Sequence, residues 1–506
     1  MSKAEEIKRM RTAAGLTVKG LAEKSGIEIK TLYDLEEGIT SPSDRQAESL
    51  KIGAGKESIK ADLPSLHSWE LYSDELMTEY RQCIEEGLAV KEYEALFKAV
   101  SEMPRNEYRE RMADVIFDIV SNAPEAQGYV YVEPTELCEI RTERGAPIAK
   151  VTVPPEELEE KTAGAWYGRI CGCFLGKAVE GIRTDELVPF LKKTGNYPMH
   201  RYIRHSDLTP ENLDGMRYNL NNGVHPDEVK SAPADDDTNY LVLYQELVEK
   251  YGKGFTSKNV ADFWLDKQPK NAYCTAERVA FCNFVKGYTP PDSAKYKNPF
   301  REWIGAQIRG DYFGYISLGD PEAAAEAAYR DAIISHTKNG VYGEMYFAAL
   351  IARAAVTKDI REALLTCLAV VPRRSRFHES IMRIVNAFDG GMASEECFAQ
   401  IHERWNEHSG HDWCHVLSNA EIVAASLLYG GGDYGKTVCL AVQTGFDTDC
   451  NAATAGSVIG VMHGISAIGE EWTAPMHGKL DTQIFGVGTV NIDDRIAMTL
   501  RHIKEK

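Results

Sequence analysis

The chain has 506 residues, a length that usually divides into about two to four domains. Hydrophobic residues make up 43% and charged residues 26%, a composition that supports a large buried core and excludes global disorder. The 57 Lys and Arg residues are outnumbered by 76 Asp and Glu residues. The resulting net charge of −19 argues against non-specific binding of the whole chain to nucleic acid or to a membrane surface.

The residue pattern predicts a cytoplasmic protein with no membrane partner. Residues 1–10 are polar and charged, which predicts that there is no secretory leader. No stretch approaches the ~20 apolar residues of a membrane-spanning helix. The 11 cysteines are scattered without a C-x-x-C pair, and Cys171 and Cys173 are the only close neighbours. We therefore expect reduced thiols, with neither a disulfide framework nor a structural zinc site.

Patterning divides the chain into three predicted units: residues 1–60, a helical connector of unknown role over 61–150, and a large domain over 151–506. Apolar residues recur at helical spacing in the connector, as in Tyr80, Ile84 and Leu88. The third unit is rich in Ala, Leu, Glu and Lys, and strand-like alternation is rare. We expect an all-α fold, with short strands at most near residues 129–132.

The first 40 residues carry the pattern of two short helices joined by a tight turn. Thr17 is placed to cap a helix that buries Leu21, and Gly26 supplies the turn. Residues 27–35 then place apolar side chains on the inner face of the next helix, which Gly38 ends. Over about 50 residues this pattern resembles the Cro/C1-type helix-turn-helix domain.

That resemblance implies a small five-helix domain whose third helix enters the major groove of DNA. The residues expected to contact DNA are Lys30 and Thr31. The charge of this third helix argues against DNA binding, because the helix carries mostly acidic residues and DNA affinity depends on Lys and Arg. DNA binding and a retained fold used for dimerisation or docking both remain open.

Three separated segments of the third unit combine small-residue spacing with acidic residues. In the first, Gly168, Gly172 and Gly176 leave one helix face bare, which permits close helix packing, and Glu180 follows where that helix would end. In the second, Asp235-Asp236-Asp237 precedes a run with helical periodicity. Three carboxylates exceed what helix capping needs, and they repel one another unless they are solvated or bridged by a cation.

The third segment, residues 444–460, repeats the arrangement. Asp447 and Asp449 stand at a predicted helix start, and Ala452, Gly456 and Gly460 form a second bare face. Carboxylate oxygens are the ligands that Mg²⁺ and Mn²⁺ prefer. Two acidic helix starts that face each other would suit a site for two metal ions.

Taken together in this order, the three segments resemble the ADP-ribosylglycohydrolase family, which includes dinitrogenase reductase-activating glycohydrolase. The resemblance covers roughly residues 160–470 and implies a compact, orthogonally packed helical domain with two Mg²⁺ or Mn²⁺ ions in a cleft. It implies that the metal ligands are Asp235, Asp236, Asp237, Asp447 and Asp449, and that Glu180 and Asp447 are catalytic.

Three positions depart from the family pattern. Asp235 stands where the family has a threonine ligand, and Cys450 replaces a final threonine. Cys173 stands where many members have aspartate. A thiol is a poor ligand for Mg²⁺, so these departures bear on metal preference and substrate.

A fourth segment, residues 330–336, resembles a family helix that ends in a Ser-His pair. It makes His336 a candidate for substrate binding, with capping and packing as the alternative. His415, close to Trp413, is a weaker candidate of the same kind.

The resemblance implies a metal-dependent hydrolase that removes ADP-ribose from a modified acceptor, which would be a protein or a nucleic acid. Two alternatives stay open. One is the same chemistry on a small N- or O-ribosyl compound, and the other is a DNA-binding regulator whose hydrolase-like domain senses a ligand. A second copy of the chain is a further expected partner.

Overall fold

The computed structural model describes residues 2–55 and 63–505 of a chain that forms two compact units, Met1–Ser65 and Leu66–Lys506. The described part is all-α, as predicted, apart from one pair of two-residue strands, β1 (Lys479–Leu480) and antiparallel β2 (Val490–Asn491). Residues 129–132 form no strand. Within residues 2–55 and 63–505, no helix combines the length and the apolar character needed to cross a membrane.

The smaller unit has a core of its own, which includes Leu21, Leu32 and Leu35. The Thr17 hydroxyl accepts a hydrogen bond from the Gly20 amide at 3.0 Å, and Gly26 ends the same helix with a φ of 67°. Four helices lie in residues 2–55, and residues 56–62, where a fifth would follow, are outside the described part. The helices are α1 (Lys3–Ala13), α2 (Val18–Ser25), α3 (Ile29–Glu36) and α4 (Asp44–Gly53).

The segment predicted as a connector lies, from residue 66 onward, within the larger unit and contributes four helices to it. Buried ion pairs join it to later residues, because Arg301 contacts Glu79 at 2.8 Å and Glu86 at 2.6 Å. The helices are α5 (Leu76–Glu85), α6 (Glu94–Ser101), α7 (Glu107–Ser121) and α8 (Leu137–Glu143).

The rest of the larger unit packs its helices around one extensive apolar core. The helices before residue 320 are α9 (Leu158–Lys177), α10 (Thr184–Lys193), α11 (Pro210–Leu213), α12 (Asp236–Tyr251), α13 (Ser257–Lys267), α14 (Thr275–Val285), α15 (Asp292–Lys295) and α16 (Asp311–Tyr315). Those after it are α17 (Pro321–Ala332), α18 (Lys338–Ala354), α19 (Ile360–Cys367), α20 (Arg376–Asp389), α21 (Ser394–Arg404), α22 (Gly410–Cys414), α23 (Val416–Gly430), α24 (Tyr434–Gln443), α25 (Thr448–His463), α26 (Glu470–Thr473) and α27 (Ile492–Lys504).

Helices α9 and α25 pack antiparallel through their two bare faces. A Cβ atom placed on Gly168 would overlap the carbonyl oxygen of Gly456, and one on Gly172 would overlap the carbonyl oxygen of Ala452. The Thr448 hydroxyl donates a hydrogen bond to the carbonyl oxygen of Gly176 at 2.9 Å. The close approach predicted from the small-residue spacing is therefore made between these two helices, and it brings the end of α9 beside the start of α25.

Candidate active site

A cavity of about 300 Å³ lies where the end of α9 meets the starts of α12 and α25. The side chains that line it include Glu180, Asp236, Asp447 and Asp449, so all three acidic segments of the sequence meet there. Asp235 and Asp237 lie behind this lining and are buried. Oxygens of Asp235, Asp449 and Glu180 lie within 4.8 Å of one another.

The start of α12 fixes two of these aspartates. Asp235 is the N-cap, and its Oδ1 accepts a hydrogen bond from the Asp237 amide at 2.9 Å. Asp237 Oδ1 lies 2.7 Å from Arg169 Nη2, and the same guanidinium contacts Asp311 at 2.8 Å. The side chains of Arg169, Asp237 and Asp311 are all fully buried. Burial nevertheless raises the pKa of Asp237 well above its usual value, and among the described residues its Oδ2 has no hydrogen-bond partner.

The start of α25 supplies the second aspartate pair. Burial raises the pKa of Asp447 to about 7, and burial together with the nearby Glu180 raises that of Asp449 well above its usual value. The pKa of Asp236, which lines the cavity, is raised by burial and by the nearby negative charge of Asp235. Crowded carboxylates of this kind need protons or a cation to balance their charge.

Lys177, the last residue of α9, brings an ammonium group into this cluster. Its Nζ forms a close ion pair with Asp235 and lies 3.7 Å from Glu180 Oε2. Burial would raise the pKa of Asp235, but the attraction of Lys177 outweighs it, and the pKa lies below its usual value. The pKa of Asp235 is thus shifted in the opposite direction from those of Asp236 and Asp237.

The remaining acidic positions fit a divalent cation. Asp237, Asp449 and Cys450 bring ligand atoms within 4.8 Å of one another, and Asp237 Oδ2 is an unpaired buried acceptor among them. The two carboxylates are oxygen donors of the type that Mg²⁺ and Mn²⁺ prefer. The Cys450 thiol has its pKa raised well above its usual value by burial and neighbouring aspartates, so it adds a soft and protonated group.

Residues 154–499 match the family model described as ADP-ribosylglycohydrolase. The chain belongs to this family. Residues 7–50 match a second model, described as helix-turn-helix. One similar solved structure is titled "ADP-ribosylglycohydrolase-related protein complex"; it is 19% identical, and the match covers 69% of this chain and 99% of that chain. Its TM-score of 0.44 is too low to support a structural argument. No curated protein matches the chain significantly.

Other predicted residues of this ADP-ribosylglycohydrolase-family chain lie outside the cavity. His336 is fully buried, its Nδ1 lies 2.8 Å from the Ser335 hydroxyl, and it is not among the described residues that line the cavity. Its role in substrate binding stays a prediction. His415 is also buried, where its Nδ1 caps α23 by accepting a hydrogen bond from the Leu417 amide. Lys30 and Thr31 lie on α3 of the smaller unit.

Three tryptophans of the cavity lining were not identified from the sequence as site residues: Trp69, Trp303 and Trp413. Arg183 lies over the Trp413 ring, 5.0 Å from its centre. Arg169 and Lys177 were also not identified as site residues, because the aspartates with which they pair lie far away in the chain. The sequence offers one signal for Lys177. It lies three residues before Glu180, a spacing that allows an ion pair on a helix.

Proposed function

We propose that this protein is a metal-dependent glycosyl hydrolase that removes ADP-ribose from a modified acceptor. The observation that supports this most strongly is the meeting of Glu180, Asp236, Asp447 and Asp449 at one cavity, with Asp237 buried behind them. A site that served only as a solvated surface would leave these groups exposed. Here burial and neighbouring carboxylates raise the pKa values of Asp236, Asp237 and Asp449, which is typical of functional sites.

The proposed cation ligands are the aspartates of the two helix starts, which the resemblance places around two Mg²⁺ or Mn²⁺ ions. A divalent cation bound there would supply positive charge next to the ribose oxygens and would polarise water. Arg169 holds Asp237 in place through its 2.7 Å contact, and Asp235 is held by the amide of Asp237. The ligand oxygens are thus oriented before substrate arrives.

Glu180 is the proposed proton acceptor for the attacking water. Its side chain is 44% exposed, which leaves it the freedom to reach a substrate, whereas Asp235 is 2% exposed. Asp447 lines the same cavity and is the second proposed catalytic carboxylate. The developing positive charge on the ribose during bond cleavage would be stabilised by the surrounding carboxylates.

The test is hydrolysis of ADP-ribosyl-arginine, ADP-ribosyl-serine and ADP-ribosylated DNA with added Mg²⁺ or Mn²⁺. Asp236→Asn and Asp447→Asn should reduce turnover by roughly 100-fold or more while the far-UV circular dichroism stays unchanged. Excess EDTA should abolish turnover. Full activity of both variants, or activity that EDTA leaves intact, would refute the proposal.

A small ribosyl compound is the second candidate substrate. The cavity of about 300 Å³ is at the lower end of the usual range for ligand pockets, which favours a compact ligand. A panel of nucleosides in the same assay distinguishes small ribosyl compounds from ADP-ribosylated acceptors as substrates. Turnover of a nucleoside without turnover of any ADP-ribosyl compound would select this alternative.

We also propose that the smaller unit binds DNA through α3, on the basis of its match to the helix-turn-helix model. Lys30 is exposed on that helix, but Arg11 is occupied by Glu36 at 2.6 Å. Fluorescence anisotropy with fragments from a random-sequence selection tests this, with Lys30→Ala as the variant. Selection that yields no enriched sequence would leave dimerisation or docking as the role of this unit. Homodimerisation and a cytoplasmic location stay predictions.

A further inference from the structure

The ammonium group of Lys177 is placed where a cation would bind. It pairs with two of the three residues whose oxygens cluster within 4.8 Å, namely Asp235 and Glu180, and the third is Asp449. The lysine side chain is 23% exposed, so this charge interaction takes place largely away from water. Attraction between charges is much stronger in such surroundings than in bulk water.

A divalent ion at the Lys177 side of the cluster would have to approach this ammonium group. Like charges a few ångströms apart repel strongly when they are partly buried, so the ion would have to displace Lys177 from Asp235. The other group of ligands, Asp237, Asp449 and Cys450, includes no residue that is paired with Lys177. It also contains the unpaired Oδ2 of the fully buried Asp237.

We propose that Lys177 is a tethered cation that takes one of the two cation positions expected for this site. The protein then binds a single divalent ion, on the side of Asp237 and Asp449. This inference rests on the proposed metal dependence and specifies how many ions the site holds. Because the lysine is covalently attached, its share of the positive charge is permanent and cannot be removed by a chelator.

The test counts Mn²⁺ ions bound to the full-length protein by equilibrium dialysis and elemental analysis. We expect one ion per chain in the wild type and two in Lys177→Met, which removes the ammonium group but keeps most of the length of the side chain. Lys177→Arg keeps the charge and should still bind one ion. Circular dichroism checks that each variant is folded.

Lys161→Met is the matched control, because it removes a buried lysine from the same helix. Lys161 pairs with Glu157 at 3.4 Å, which is not among the residues that line the cavity. It should bind one ion, as the wild type does.

Two results would overturn the inference: two ions bound to the wild type, or one ion bound to a folded Lys177→Met. Two ions in the wild type would still leave the proposed metal dependence standing. A wild type that binds no Mn²⁺ would overturn the inference and the proposed metal dependence together. The wild-type count decides the matter even if Lys177→Met does not fold.

A separate observation concerns Trp69, which lies before the residues matched by the family model and nevertheless lines the cavity. Its short loop is fixed to the domain at three points. Arg278 donates a hydrogen bond to the carbonyl oxygen of Ser68 at 3.1 Å, and its guanidinium lies 4.8 Å from the centre of the Trp69 ring. Glu70 forms a close ion pair with Lys270.

The backbone at Trp69 supports a role beyond packing. Its φ is 65°, a left-handed conformation that is unfavourable for a bulky side chain. The contacts of Arg278 and Lys270 hold the loop in this conformation and keep the indole at the cavity, where it is half-buried. A strained residue held in this way at a cavity is a candidate for ligand contact.

We infer that Trp69 completes the cavity from outside the residues matched by the family model and stacks on a planar base of the substrate. This inference also rests on the proposed function. The probes are ADP-ribose, which carries a base, and ribose 5-phosphate, which does not. Trp69→Ala should weaken ADP-ribose binding roughly tenfold in calorimetry, and Trp69→Phe should recover much of it, since stacking needs an aromatic face.

Ribose 5-phosphate binding should be the same in the wild type and in Trp69→Ala. Tyr108→Ala is the matched control, because Tyr108 is an aromatic residue of the same segment and is 68% exposed. The inference is wrong if Trp69→Ala binds ADP-ribose as the wild type does, or if it loses both ligands equally. Failure of the wild type to bind either ligand would overturn it along with the proposed substrate class.

Discussion

Two regions of the larger unit bury several carboxylates each, and they differ in how the charge is balanced. Where residues 66–150 meet the rest of the unit, Arg301 pairs with Glu79 and Glu86, and Lys338 reaches Glu86 at 2.9 Å. Burial alone would raise the pKa of Glu86, but Arg301 and Lys338 lower it to about 2. At the cavity, the pKa values of Asp236 and Asp449 are raised instead.

Buried carboxylates therefore have different roles in the two regions. A buried carboxylate whose arginine partner brings its pKa below the usual value, as at Glu86, is a structural element, because its charge is already balanced by the fold. A buried carboxylate without one leaves the fold short of positive charge, and this shortage is what a cation or a substrate can relieve. The distinction makes predictions that can be ranked by the size of their effect.

The largest effect is expected at the junction between residues 66–150 and the rest of the larger unit. Arg301→Met removes the partner of two buried glutamates and leaves them uncompensated. We expect the free energy of unfolding of the larger unit to fall by roughly 3–5 kcal/mol. Urea denaturation followed by tryptophan fluorescence measures this. Unchanged stability would show that the charges at the junction are as poorly balanced as those of the cavity.

A smaller effect of opposite sign is expected in the cavity. Asp449→Asn removes an uncompensated charge, so the variant without metal should be more stable than the wild type by about 1 kcal/mol. Added Mn²⁺ should raise the melting temperature of the wild type and have little effect on the variant. Thermal scans with and without Mn²⁺ measure both quantities. A variant less stable than the metal-free wild type would contradict the charge shortage.

The smallest effect is expected for an exposed ion pair, which serves as the reference for both buried regions. Arg361 pairs with Asp389 at 2.5 Å on the surface, where the two side chains are 44% and 36% exposed. Water and salt screen such pairs, so Arg361→Ala should leave the urea midpoint nearly unchanged. The same denaturation series provides the comparison. A loss as large as that of Arg301→Met would mean that burial does not explain the difference between the regions.

Much of the cavity could be predicted from the sequence, because its determinants are local. The spacing of Gly168, Gly172 and Gly176 predicts a close helix contact whatever the partner, and Asp447 and Asp449 are recognisable at a helix start. The all-α fold follows from the same kind of periodicity. The meeting of the acidic segments was expected from the family resemblance that their order carries, and the structure brings them together.

Other features depend on contacts between distant residues, which periodicity does not reveal. Arg169 appears in the sequence as one residue of the glycine-rich helix, yet its partners Asp237 and Asp311 are 68 and 142 positions away. The contribution of Trp69 depends on how a loop folds back onto Arg278. Nothing local in the sequence around Trp69 indicates that this residue lines the cavity.

The contact between α9 and α25 has a consequence for the tolerance of this site to change. The two backbones touch without intervening side chains, so the distance between the end of one helix and the start of the other is set by the main chain and not by rotamers. The main-chain positions of Lys177 and Asp449 are therefore fixed relative to each other by direct backbone contact between the two helices. Substitutions in the loops around the cavity opening would therefore leave the main-chain spacing of the charged groups beneath unchanged.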